Sequence, residues 1–175
     1  MRRGALLLAT VAIAAGCGGS GGDKVVAHVG GTAISRTELD RAVQHFANEA
    51  AAEGRAFPVP GSSSYRAAQR QVLGLLVYRA ELAQEGRRLG VRVTDAQVQQ
   101  RLQTSASTDE EDSSSSSGFA ADTVRAQLFY EGIYRKVTAG AKPARREAVM
   151  RRWLARMKRA YKSKVSYEAG FGPAS

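Results

Sequence analysis

Among 175 residues there is a single cysteine, Cys17, and there are only two histidines, His28 and His45. A disulfide framework is excluded, and no metal is expected, because nothing near Cys17 offers a second ligand at the spacing a zinc site needs. Long apolar runs are scarce too. The best of them, Ala5 to Ala15, falls well short of the roughly 20 residues that a membrane-spanning helix requires. Acidic residues are nearly missing from one end: residues 135–175 hold 12 Lys and Arg against 2 Asp and Glu, whereas residues 1–134 hold 14 against 14. The whole formal charge of +10 therefore lies at the C-terminal end. A block of this kind attracts nucleic acid, an anionic membrane or acidic chains, and charge alone does not choose among them.

What is present at the other end supplies a compartment. Arg2 and Arg3 precede the short apolar run, which leads into Gly16-Cys17, so residues 1–16 read as a cleaved export signal. Ala14-Ala15-Gly16-Cys17 resembles a bacterial lipobox, with Cys17 as the lipidated residue, and an unpaired thiol in an exported chain is thereby explained. Residues 17–23 follow as a Gly/Ser tether that would hold the domain on the order of 13 Å from its anchor. A formal G-x-S-x-G match, Gly18 to Gly22, lacks the strand before it and the helix after it that a nucleophile elbow needs. No catalytic residue is assigned. Nucleic acid is not expected as a partner at an exported address.

Residues 24–173 have ordinary globular composition and are expected to form one domain. Val25 to Val29 reads as a strand, and Gly30-Gly31 suits a tight turn into Thr32-Ala33-Ile34. Ser35-Arg36-Thr37-Glu38 has capping-box spacing, with Ile34 and Leu39 as its hydrophobic staple, and opens a helix over 36–52. Residues 54–64, rich in Pro and Gly, form a loop. A second helix over 65–89 gathers Ala68, Val72, Leu75, Leu76, Leu82 and Leu89 on one face, with Gly90 as its stop. Thr94-Asp95-Ala96-Gln97 repeats the capping box and starts a third helix ending near Leu102. The acidic, serine-rich stretch over 104–118 cannot repay the entropy of ordering and is expected to be a disordered loop; its acids lack the alternation and central glycine of a calcium loop.

A fourth helix is expected over 119–138 and a fifth over 144–161, the latter with Val149, Met150, Trp153, Leu154, Met157 and Tyr161 on its apolar side. Val165 to Glu168 alternates like a strand, and its economical partner is the N-terminal hairpin. The predicted class is mainly α: about five helices, with a small β element built from the N-terminal hairpin and a C-terminal strand.

Three segments carry a family resemblance. VVAHVGGTAISRTELDRAV is similar to the strand, turn and capped first helix of the SurA N-terminal-like domains found in SurA, PrsA-type foldases and relatives related to trigger factor. RQVLGLLVYRAELAQEGRRLGVRVTDAQV resembles their long second helix, glycine stop and capped third helix, although Gly86 stands where a larger helix former is usual. MRRWLARMKRAYKSKVSYEAGFGP resembles their closing helix and strand. Many members carry a parvulin-type prolyl isomerase domain between the fourth helix and the closing one; here only Ala139 to Ala144 could mark that junction, too few residues to build one.

The resemblance implies a non-catalytic client-binding module without a cofactor: a membrane-anchored extracytoplasmic chaperone, a holdase for unfolded or nascent exported polypeptides. Its location would be the outer face of the bacterial cytoplasmic membrane, or a periplasmic membrane face. Candidate client-binding residues are Phe46, Tyr65, Tyr78, Phe129, Tyr130, Met150, Trp153 and Met157, each with plain core packing as the alternative. Arg145, Arg146, Arg151, Arg152, Arg156, Lys158, Arg159 and Lys162 form a basic set suited to anionic headgroups, or simply to solvent. Two further readings stay open, a prolyl isomerase of the same family and an envelope scaffold for one dedicated partner.

Overall fold

The computed structural model describes residues 23–106 and 117–172. The expected signal, Cys17, most of the tether and the central part of the acidic serine-rich stretch lie outside these residues. The chain runs β1 (Val25–Val29), β2 (Thr32–Ser35), α1 (Arg36–Ala52), α2 (Ser63–Arg88), α3 (Asp95–Ala106), α4 (Ser117–Thr138), a single 3-10 turn (Pro143–Arg145), α5 (Arg146–Tyr161) and β3 (Val165–Tyr167). This is the mainly α architecture with a small antiparallel sheet that the sequence pattern predicts.

The sheet has the order β2-β1-β3, both pairings antiparallel. β3 closes on β1 with Val165 opposite Val29 and Tyr167 opposite Ala27, so the two ends of the described chain are joined through one strand. At the hairpin only Gly30 takes a positive φ, +54°, a conformation that side chains disfavour. Ser35 Oγ accepts from the Glu38 N–H at 3.1 Å and so caps α1. At α3 the box is reciprocal: Thr94 Oγ1 accepts from Gln97 N–H at 3.3 Å, and Gln97 Oε1 accepts from Thr94 N–H at 2.9 Å. α2 ends in a Schellman turn, Val91 N–H to Gly86 carbonyl at 2.8 Å and Gly90 N–H to Arg87 carbonyl at 2.9 Å.

Several helix boundaries differ from expectation, that of α2 among them, which runs from Ser63 to Arg88 and not over 65–89. α3 runs on to Ala106, and α4 starts at Ser117, so the flanks of the segment expected as a loop over 104–118 are helical. α5 starts at Arg146 instead of Ala144, because Pro143 first builds the 3-10 turn.

The core lies between the sheet and helices α1, α2, α4 and α5. Ile34, Leu39, Leu73, Ile133 and Met150 are fully buried there. α2 is its axis and buries Leu73, Val77 and Glu81 in addition to the expected Val72, Leu76 and Leu82. Gln84 stitches three elements together: its amide nitrogen donates to the Val29 carbonyl at 2.6 Å and to Thr32 Oγ1 at 3.0 Å, while its oxygen accepts from Tyr161 Oη at 3.2 Å. α3 packs on α4 through buried Val98 and two ion pairs, Arg125 to Asp95 at 2.7 Å and Arg101 to Glu131 at 3.1 Å. No described helix is long and apolar enough to cross a membrane.

Candidate functional site

Apolar residues that the core does not absorb gather where α1 ends and α2 begins. The loop between them reads Ala56-Phe57-Pro58-Val59-Pro60. Its prolines cannot continue either helix, and the short excursion gives its side chains little to pack against. Val59 is 72% exposed, the exposed large hydrophobic residue of the described chain. Phe57 turns back and meets Tyr65 edge to face, with ring centroids 6.3 Å apart.

Phe57 and Pro58 divide two open hollows. The larger, about 500 Å³, is walled by Phe46 and Ala50 of α1 and by Ala68, Val72 and Leu75 of α2, with Glu49 and Arg55 at its rim. The smaller, about 290 Å³, lies between Val43 and Ala47 of α1, the Phe57–Pro60 stretch and Tyr65. An aromatic cluster braces the α1 wall: the Phe46 ring stands 5.6 Å from Phe119 of α4, and His45 lies 4.2 Å from the same ring. The Arg79 guanidinium covers Phe119 at 4.2 Å.

A third hollow, about 230 Å³, lies beside β2 between α2 and α4, with Ile34, Leu76 and Phe129 among its apolar lining. Its rim is charged, with Glu38, Arg79, Arg87, Asp122 and Arg125. Burial raises the Glu38 carboxyl above its usual range, and the Ser35 backbone N–H partly offsets that. Burial also lowers Arg79, against the pull of Asp122 and Glu38. Arg79 Nη2 donates to Thr123 Oγ1 at 2.8 Å, whereas its buried Nη1 has no hydrogen-bond partner among the described residues.

The expected client-binding set is divided by this arrangement. Phe46 and Tyr65 line the paired hollows and are half-buried. Tyr78 and Tyr130 are half-buried elsewhere, with Lys158 Nζ 5.7 Å from the Tyr78 ring centroid. Phe129, Met150, Trp153 and Met157 take the alternative given for each, core packing: they are 4%, 1%, 8% and 4% exposed, because α4 and α5 turn their apolar stripes inward. Phe57 and Val59 were not among the expected residues. Their signal was available, since Phe57 directly before Pro58 and Val59 between Pro58 and Pro60 have no regular element to bury them.

All eight members of the basic set are exposed. Lys158 leans toward Tyr78 at the edge of the core, and Arg146, in the first turn of α5, donates its Nε–H to the Ala141 carbonyl at 3.4 Å. Among the described residues no group of three His, Cys, Asp or Glu is placed to hold a metal ion.

The walls of the paired hollows are mainly hydrocarbon and aromatic, with Gln44 and Gln71 among them and a cation and an anion at the rim. Such a surface binds by removing apolar side chains from water and favours no single sequence. In comparison with known proteins, the family model described as a SurA-like N-terminal domain matches residues 4–127, well over half of the chain. No curated protein and no solved structure matches.

Proposed function

Because the chain belongs to the family of SurA-like N-terminal domains, a chaperone-type family, we propose that it is a lipid-anchored extracytoplasmic holdase. It binds unfolded exported polypeptides and performs no bond chemistry on them. The observation that carries this reading is the pair of open apolar hollows around Phe57. A fully packed bundle would leave an unfolded segment nothing to bury. Each client side chain that enters is stabilised by roughly 1.5 to 3 kcal/mol. Two or three such contacts, less the ordering of the client segment, give weak and reversible binding, as a holding chaperone requires.

Anchoring follows from Cys17, which would carry the lipid on the outer face of the cytoplasmic membrane or a periplasmic membrane face. The short tether keeps the hollows near the bilayer, where exported chains emerge unfolded.

The test is suppression of aggregation of two unrelated denatured proteins, with the wild-type chain beside Phe57→Ser/Val59→Ser. The double variant should lose some stability, since Phe57 packs against the core and Tyr65, but should remain folded at the assay temperature, as its thermal unfolding checks, and should lose most of the protection. Equal protection by parent and variant would remove the hollows from the function. Prolyl cis/trans exchange in a short peptide, measured alongside, should run at the uncatalysed rate. Acceleration that a point mutation abolishes would replace the holdase reading with an isomerase.

A further inference from the structure

Helix α5 has a second surface that client holding does not use. At about 100° per residue, its buried residues Met150, Trp153, Met157 and Tyr161 fall within about 80° of arc. On the opposite side, Arg151, Arg152, Arg156, Lys158, Arg159 and Lys162 spread over about 160°, and every one is exposed. None of the six forms a salt bridge among the described residues, and only Lys158, at the edge of the set, leans back toward a core-flanking ring, that of Tyr78. The helix's one carboxylate, Glu147, is held by Tyr134 Oη at 3.1 Å. Arg152 and Arg156, and Lys158 and Lys162, are like charges four residues apart, a spacing at which repulsion weakens a helix. An anionic partner would relieve it.

We propose that this face of α5 lies on an anionic lipid bilayer. Two features select an extended negative surface. The cations occupy the convex side of one helix, and none of them lines any of the three hollows, so no cavity is shaped for a small anion. The fold also places α5 close to where the tether joins. Gly30 N–H donates to the Lys164 carbonyl at 2.8 Å, so the chain leaving α5 meets the far end of β1. β1 begins at Val25, two residues after the tether, and its five residues span about 17 Å. The basic face is therefore within reach of the bilayer in which Cys17 would be anchored. Only the preference for lipid over nucleic acid rests on the export reading.

The experiment uses the full chain carrying Cys17→Ser, so that no acyl chain contributes, and vesicles of phosphatidylcholine with or without phosphatidylglycerol. The protein should float with the phosphatidylglycerol vesicles and be released as salt rises. Each cation near such a surface contributes about fivefold in partitioning. Arg151→Gln/Arg152→Gln/Arg156→Gln/Arg159→Gln should lower binding roughly 600-fold, with thermal unfolding and aggregation suppression unchanged. That last readout separates a failure here from a failure of the holdase reading. Undiminished binding of the quadruple variant would overturn the proposal, as would equal binding to both vesicle types. Tighter binding to duplex DNA than to the phosphatidylglycerol vesicles at matched salt would transfer the face to nucleic acid.

Discussion

Glu81 is a charged side chain in an apolar place. It sits on α2 at 8% exposure, in the part of the core that α5 and β3 close. Burial raises its pKa above the ordinary 4.5, and Lys158 pulls the other way without cancelling the effect. The folded chain therefore holds this proton more tightly than the unfolded chain does. Between pH 4.5 and the raised value the folded state binds more protons, so stability falls as pH rises through that window and stays lower above it. Glu81→Gln removes the charge and keeps the shape. The variant should unfold at a higher temperature than its parent at pH 7, and the gap should close as the pH drops below 4.5. A variant less stable than its parent at pH 7 would mean that attraction to Lys158 outweighs burial. Neither Glu81 nor Gln84 was legible as an interior residue, because a polar side chain on a helix gives the same sequence signal whether it faces water or a neighbouring element.

At the scale of elements, what was legible had local causes. The bounds of α1 coincide with expectation because a capping box opens it and a glycine turn closes it. The pairing of β3 with β1 follows from strand edges that would otherwise stay unpaired. What was not legible depended on neighbours. α3 continues past Leu102 because extending a nucleated helix costs little even without an apolar stripe. The aromatic residues of α4 and α5 could not be sorted into core and surface, since a helical stripe does not say which of its members another helix will cover. Gly86 is the clearest case. Alone, it looks like a defect in α2, and alanine should improve the helix by about 1 kcal/mol. In the fold, a Cβ at Gly86 would sit well inside contact distance of the buried Phe129 ring, and one at Gly132 of α4 would meet Val91 in the same way. Gly86 lets α2 and α4 approach, and Gly132 lets Val91, in the turn after α2, seat against α4. Gly86→Ala should therefore lower stability by about 1 to 3 kcal/mol in urea unfolding, as overpacking does. Gly74→Ala, on the same helix with no atom within 4 Å of its added carbon, should raise stability by about 0.5 to 1 kcal/mol. Two variants moving in the same direction would show that helix propensity, not the α2–α4 contact, governs these positions.

For the whole molecule, the part that the family model matches does not include the elements that close the fold. The family match ends at residue 127, inside α4, yet the interior is completed by α5 and β3. α5 contributes Met150, Trp153, Met157 and Tyr161, which are 1%, 8%, 4% and 3% exposed, and β3 fills the second side of β1. Burying four side chains of this size is worth roughly 6 to 12 kcal/mol at 1.5 to 3 each. That is comparable with the entire stability of a domain, about 5 to 15 kcal/mol. A chain ended after Thr138 keeps the hollows around Phe57, which involve only α1, the proline loop and α2. It nevertheless uncovers the side of the core that Met150, Trp153, Met157 and Tyr161 close, and one whole edge of β1. Such a chain should retain helical circular dichroism, bind a hydrophobic dye, and show no cooperative thermal transition, whereas the full chain unfolds in a single step. Mixing it with a peptide of residues 139–175 should restore the transition in a concentration-dependent way, because the sheet is completed by a segment far from β1 in sequence. A sharp transition in the shortened chain alone would mean that α5 is an appendage for the membrane face and that the core is finished without it.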